Sequence, residues 1–424
     1  MLQKTRHMNN IDKTRFLSRN IRIWIYFFIV TWCLDLSAQD IQVEPGTVNI
    51  TLNKEFPAIP SGSSVLQIRD YFVWGGSVVK GDDGKYHMIF SLWESGPGTE
   101  NFVNSWVLES KIGYAVSDYP DREFKFQKII LKGARYDGDT SAWDAQSVHN
   151  PHLKKFADTY YLYYIGTRDP GPQTDDPRAS SLNKRSRSQQ SQQIGVLQFK
   201  NFDELLNGHF KRAKEPLLSP RTRVKPDNIL NGSPEGTEAK PDNIIVVNPS
   251  VDYNPKTNKY MLFFKGNLYE PGWKGVHGVA IGDYPTGPFK PLDQFIFDVR
   301  MPDGTLASTE DPYVWYAKKW DCFLAVVKDF SGQLTGHKNT LALLSSGDGI
   351  HWKLPKNPLF MKRELYLQDG SAIGLSRLER PQLLLDDKGV PQVMYAACAI
   401  ENPNQKNDGS TFNVHIPLAV SDTK

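Results

Sequence analysis

The chain has 424 residues, with 50 Lys and Arg against 47 Asp and Glu and a net charge of +3. That near balance provides neither a basic footprint for nucleic acid nor an acidic tail. The length would allow two or three domains, but a repeat runs from about residue 70 to the C-terminus without a linker-like break, which argues for one.

The N-terminus carries Lys4, Arg6, Lys13, Arg15, Arg19 and Arg22 ahead of an apolar run from Ile23 to Leu34. About a dozen apolar residues are too few to span a bilayer but suit a signal-peptide core, with a small residue, Ala38, at the cut. Residues 1–38 are therefore read as a signal peptide and the protein as exported, to the periplasm or exterior of a bacterium, with no stable membrane insertion after cleavage. An uncleaved anchor is the alternative. Trp32 before Cys33 argues against lipidation, and Cys322 and Cys398, each in an apolar strand, read as buried free thiols. Residues 39–69 precede the repeat, and Val48-Asn49-Ile50-Thr51-Leu52 alternates like an edge strand expected to pair onto the last repeat and close a ring.

The repeat, residues 70–424, is clearest around Glu310-Asp311-Pro312. There a short apolar strand follows the proline, then a polar turn near Lys318 and Lys319, then a second apolar strand ending at Lys328. The same layout recurs at Val148-His149-Asn150-Pro151, at Val247-Asn248-Pro249 and at Leu378-Glu379-Arg380-Pro381. Trp74-Gly75-Gly76-Ser77 keeps the frame without the proline. A third strand follows each copy, so each unit reads as an antiparallel meander joined by Asp, Gly and Asn turns. The anchors lie roughly 63 to 98 residues apart, longer than common propeller repeats, which implies long loops between strands. The fold class is all-β, a five-bladed β-propeller. Two polar excursions, Gly171 to Gln193 and Pro216 to Asn243, read as surface loops of the kind that shape a binding face.

In a propeller the first strand of each blade lines the central channel, so the residues before the repeat proline converge. That ring is Gly75-Gly76, His149-Asn150, Val247-Asn248, Glu310-Asp311 and Glu379-Arg380. Three carboxylates in one pocket suit glycoside hydrolysis, which needs a proton donor and a carboxylate that activates water or attacks carbon. Glu310, Asp311 and Glu379 are the catalytic candidates. Because neighbours on a strand point to opposite sides, the working pair is expected to be one of Glu310 and Asp311 with Glu379. Arg380 and Lys328 would keep one carboxylate ionised and apolar surroundings such as Trp315 would raise the other. His149 is read as general acid, hydroxyl ligand or metal ligand. Asn150 and Asn248 are substrate-binding candidates, as are Asp144 ahead of the second copy, Trp74 and Trp315 as stacking surfaces, and His277 at the rim. No nucleotide-binding glycine loop or zinc spacing is visible. The chemistry requires no cofactor or metal, while a structural divalent cation in the channel stays open.

The set Val73-Trp74-Gly75-Gly76-Ser77, Trp143-Asp144 with His149-Asn150-Pro151, Glu310-Asp311-Pro312, Ser346-Gly347-Asp348-Gly349-Ile350-His351-Trp352 and Leu378-Glu379-Arg380-Pro381-Gln382 resembles the five-bladed propeller glycoside hydrolases. It is similar to families 43, 32 and 117, and especially to family-43-like secreted proteins of polysaccharide-degrading bacteria, over about residues 70 to 420. The resemblance implies exo-acting removal of a terminal sugar in a funnel at the propeller centre, with an oligosaccharide from plant or algal polysaccharide as partner. Family 43 places an aspartate general base on the first blade's inner strand. Here Gly75-Gly76 stands there, so the base would pass to Asp144, Asp311 or a neighbour. Family 117, which acts on anhydrogalactose-containing algal oligosaccharides, implies a site role for His149. A non-catalytic carbohydrate-binding propeller and a polysaccharide lyase stay open as alternatives. Oligomeric state is not legible.

Overall fold

A computed structural model describes residues 41–50, 61–172, 180–210, 212–221, 238–268, 274–304, 306–406 and 408–422. The signal-peptide reading of residues 1–38 lies outside them.

Five antiparallel sheets form the blades. The inner strands are Tyr71–Lys80, Ser147–Phe156, Val247–Asn254, Thr309–Ala317 and Arg377–Leu385, in that order from the first blade to the fifth. Each pairs with a second strand, respectively Tyr86–Glu94, Thr159–Thr167, Lys259–Leu268, Cys322–Asp329 and Pro391–Ala399. Third strands follow at Lys111–Ser117, Gln193–Phe199, Lys274–Gly282, Thr340–Ser346 and Thr411–Asp422. Val, Ile, Phe and Tyr dominate the second strands, where both faces pack against neighbouring blades.

Five apolar clusters account for the closed ring. Each joins two neighbouring blades, and one of them links the fifth to the first through Val78, Met88, Phe90, Val393 and Tyr395. The others join first to second, second to third, third to fourth and fourth to fifth. Blade-on-blade burial, not hydrogen bonding, is the main glue between units, because the ladders stop at blade edges.

The edge of the fifth blade is covered by the N-terminal segment, through a strand upstream of the one expected. Ile41–Pro45 pairs antiparallel with the far half of Thr411–Asp422, from Ile41 opposite Asp422 to Pro45 opposite Leu418, and Val65–Leu66 pairs with Val414 and Asn413. Val48 makes a single parallel bridge to Leu367, and Thr51 and Leu52 lie outside the described residues. The Gly46 N–H donates to the Pro417 carbonyl, which turns the chain away from the edge before the alternating run begins.

Two helices stand above the first and second blades. Helix α1, Phe102–Glu109, starts at Asn101, whose side chain accepts from the Asn104 N–H at 3.1 Å. Helix α2, Lys184–Gln190, is capped in the same way by Asn183 onto the Ser186 N–H at 2.8 Å. The excursion read as a surface loop thus contains a helix, with Arg187, Ser188 and Gln190 buried. Arg185 ties it to α1 by donating to the Val103 carbonyl at 2.9 Å. Cys322 and Cys398 are buried free thiols.

Candidate active site

Every inner strand breaks its ladder at the same place. The register slips at Gly75, at Asn150-Pro151, at Asn248-Pro249, at Asp311-Pro312 and at Arg380-Pro381. At all five the backbone is left-handed, with φ of 60° at Gly75, 49° at Asn150, 54° at Asn248, 54° at Asp311 and 55° at Arg380. Gly, Asn and Asp tolerate that region, and Arg380 is the exception, a strained residue of the kind that collects at functional sites. These are β-bulges, which re-aim side chains.

The bulge overturns one expectation. Strand alternation should send Glu310 and Asp311 to opposite sides, yet both line one cavity of about 220 Å³ at the channel mouth. The same cavity takes both His149 and Asn150, both Val247 and Asn248, and both Glu379 and Arg380. The extra residue resets the two-residue period, so consecutive side chains reach the same space.

The deeper of the two layers is a hydrogen-bonded ring. Asn150 Nδ2 donates to Asn248 Oδ1 at 2.8 Å, and Asn248 Nδ2 donates to Asp311 Oδ1 at 2.8 Å. The Arg380 backbone N–H donates to Asp311 Oδ2 at 3.1 Å, and its Nη1 lies 3.4 Å from Asp311 Oδ1. Arg380 then lies across Gly75, where a Cβ would stand 3.3 Å from the arginine Cβ; the glycine that departs from the family-43 pattern is the space the arginine occupies.

The upper layer is ionic. Lys265 is hydrogen-bonded to Glu310 Oε1. Glu379 Oε1 accepts from Lys328 Nζ at 2.5 Å and from Arg377 Nη1 at 2.9 Å. Lys265 is the register partner of Val247 and Lys328 that of Glu310, so each lysine rides the second strand of one blade and reaches the glutamate of the next. Burial alone would raise the Glu310 carboxyl, but Lys265 and Lys328 outweigh it and hold it below the usual range. Burial, together with the Glu310 and Glu379 charges, pushes Asp311 up to about 6 against the pull of Arg380. Two adjacent acids are therefore driven in opposite directions.

His149 is fully enclosed, and burial pushes its pKa down to about 4, so the ring is neutral at ordinary pH. Its Nε2 meets Gln192 Oε1 at 3.0 Å, and Gln192 Nε2 donates to the Gln189 carbonyl, so the histidine proton sits on Nε2 and Nδ1 carries a bare lone pair. Trp106 of α1 stands edge-on to the ring at 5.1 Å between centroids.

Below this layer the channel is filled. The Val251 N–H donates to His152 Nε2 at 3.0 Å, the His152 Nδ1–H faces Gln382 Oε1 at 3.0 Å, and Ser77 Oγ donates to the same oxygen at 3.1 Å. His152 offers no ligand to the divalent cation that the sequence left open, because both of its nitrogens already have protein partners. Among the described residues no group of three or more His, Cys, Asp or Glu is placed to hold a metal ion.

Of the remaining candidates, Trp74 lines the cavity, and Lys328 stands behind Glu379 as its ion-pair partner. Three do not belong to the site. Trp315 is fully buried between blades and donates to the Gly389 carbonyl at 2.9 Å, because it lies past the bulge on the core face. It does not raise Asp311; burial and the two glutamates do. Asp144 is buried away from the cavity, accepting from the Tyr164 hydroxyl at 2.9 Å beside Arg212 at 3.0 Å, which removes it as a stand-in base. His277 sits one strand further out, opposite Lys265 in register, against Thr309 and Phe297. Sequence reasoning missed Lys265, although it follows the apolar run of its second strand as Lys328 does. It also missed Arg377 at the start of the fifth inner strand and Trp93 on the first blade's second strand, and Asn404, Gln192 and the α1 residues Phe102 and Trp106, which loops and a helix bring in from outside the repeat frame.

No protein-family model matches the chain, and no curated protein matches it in sequence. Solved structures do match in shape. A family 117 glycoside hydrolase from the marine bacterium Zobellia galactanivorans is 13% identical, with a TM-score of 0.53 and 91% of each chain covered. A thermostable family-43 glycoside hydrolase is 10% identical, with a TM-score of 0.50 and 84% of this chain and 94% of that chain covered. BT0996, solved as an RGII complex, is 11% identical, with a TM-score of 0.52 over 85% of this chain and 91% of that one. The chain has the five-bladed propeller fold of glycoside hydrolases.

Proposed function

We propose that the protein is an exported, exo-acting glycoside hydrolase that removes a terminal sugar from oligosaccharides of plant or algal polysaccharides. What carries this reading is one cavity, its floor closed by protein, in which the surroundings push the adjacent carboxyls of Glu310 and Asp311 in opposite directions, the first down and the second up. Asp311, raised to about 6, holds a proton for the leaving oxygen. Glu310, kept ionised by Lys265, is the carboxylate for water or for the sugar carbon. Glu379 raises Asp311 by its charge and, held by two cations, positions a hydroxyl. His149 Nδ1, with Asn150, accepts from others. A closed floor suits a chain end and not a chain interior, and about 220 Å³ is below the roughly 300–1,000 Å³ of clefts that hold drug-sized ligands, in keeping with a single sugar ring.

Glu310→Ala, Asp311→Ala and Glu379→Ala are each expected to lower kcat by about 10²–10⁴, with unchanged circular dichroism and melting cooperativity. The assay is sugar release from a panel of defined oligosaccharides. Unchanged turnover in all three variants rejects the assignment. Sugar binding without release would point to a non-catalytic propeller, and an unsaturated product absorbing ultraviolet light would point to a lyase. The export reading rests on residues 1–38 and is tested by sequencing the mature N-terminus, expected at Gln39.

A further inference from the structure

The cavity holds more positive charge than its own carboxylates neutralise. Lys265 answers Glu310, Lys328 answers Glu379 and Arg380 answers Asp311. Arg377 remains over, sharing Glu379 with Lys328 through Nη1 and otherwise donating from Nη2 to the neutral Asn404 Oδ1 at 2.6 Å. It is also the most open of the four cations, with a side chain 27% exposed against 14% for Lys265, 4% for Lys328 and 3% for Arg380.

A second observation points the same way. Two donors among the cavity-lining residues, Trp93 Nε1 and Arg380 Nε, are buried and have no hydrogen-bond partner. A buried donor without a partner is costly until an acceptor arrives, and in a cavity with excess positive charge the acceptor that answers both is an anionic oxygen. A neutral sugar would leave the excess charge uncompensated in a partly enclosed site. Ring hydroxyls still have a place, because His149 Nδ1 accepts and Ser110 Oγ, also buried without a partner, can do either.

We propose that the terminal sugar this cavity takes is acidic, a hexuronic acid whose carboxylate pairs with Arg377. The inference rests on the glycosidase reading for its catalytic meaning but not for its binding prediction. The bound carboxylate offsets positive charge that the cavity's own carboxylates leave uncompensated, and this selects against the matching neutral hexose by an interaction that the neutral sugar cannot make.

The test uses the mature full chain and two readouts. Calorimetric titration with D-glucuronate and D-galacturonate, against D-glucose and D-galactose, is expected to show at least about tenfold tighter binding of one uronate, weakening with added salt. Arg377→Gln is expected to erase that preference by raising the uronate Kd about tenfold, with melting measured alongside to show that the variant is folded. Equal or tighter binding of the neutral sugars, or binding of none of the four, overturns the inference. The second readout is release of nitrophenol from α- and β-linked nitrophenyl uronides and the matching neutral glycosides. Hydrolysis of the neutral glycosides alone overturns the acidic-sugar inference and leaves the glycosidase reading standing. Uronate binding with no hydrolysis of any glycoside overturns the glycosidase reading and leaves the inference standing.

Discussion

The ring at the channel mouth has two halves built on the same backbone and filled with opposite chemistry. In the first three blades the bulge carries Gly75, His149-Asn150 and Val247-Asn248, all uncharged at neutral pH, walled by Trp74, Trp93, Phe102 and Trp106. In the last two it carries Glu310-Asp311 and Glu379-Arg380, with lysines from adjacent strands. The bulge repeats five times with the same left-handed residue, so geometry does not distinguish the halves. Side-chain choice alone makes one half a stacking and hydrogen-bonding surface and the other a place where protons can be held apart. A scaffold that repeats position while varying residue gathers acids from distant sequence without repeating charge around the whole ring.

Removing a charge partner is the sharpest way to break this contrast. Lys265→Met leaves Glu310 as a partly buried carboxylate without its hydrogen-bonded cation, and the expected loss is about 2 kcal/mol of stability, read as a fall in Tm. The double variant with Glu310→Gln should recover most of it; an unchanged Tm in Lys265→Met alone would show that the pair contributes nothing.

Next in size is the pH response, where the halves should differ in sign. Asp311 has a folded pKa raised to about 6, so the stability it contributes is present below the unfolded value of about 3.9 and is lost as pH rises through about 6. His149 and His152 are depressed to about 4 and about 3, so stability is full above the unfolded value of about 6.5 and is lost as pH falls toward those folded values. Melting curves across pH 3 to 8 for Asp311→Asn and His149→Gln should lose contributions of opposite slope, one falling with pH over about pH 4–6 and one rising over about pH 4–6.5. A common change in both variants would contradict the division. For activity, the alkaline limb of kcat/KM should fall with a midpoint near 6. Because Lys328 itself lowers Asp311, Lys328→Gln should move that midpoint upward, and a downward move would show that Asp311 is not the group titrating.

The smallest effect belongs to the neutral half. Asn248→Gly preserves the left-handed backbone and deletes two hydrogen bonds of the ring, and about 1 kcal/mol should be lost, measured by denaturant titration. A loss as large as that of Lys265→Met would mean that the neutral half carries the site's stability.

Much of this was legible along the chain. Proline-anchored copies at residues 151, 249, 312 and 381, with an apolar strand on either side of a polar turn, identify repeated meanders because alternation and turn chemistry are local. The residues before each proline were legible as a ring for the same reason, and His149, Asn150, Asn248, Glu310, Asp311, Glu379 and Arg380 all line one cavity. Trp315, Asp144 and His277 were misplaced because spacing along a strand does not say which neighbour packs against it. Trp315 faces another blade, Asp144 turns toward Arg212, and His277 lies one strand too far out.

The amino-acid order by itself determined the number of units, their strand pattern and which polar residues come to the axis, since these follow from short-range periodicity. Only the tertiary structure decided that a bulge turns consecutive residues into the same space, that Lys265 answers Glu310 across a blade boundary, and that α1 and α2 wall the cavity. Those features depend on contacts between segments far apart in the chain, and the protonation of Glu310 and Asp311 follows from them, because a pKa responds to the charges and the burial that surround it.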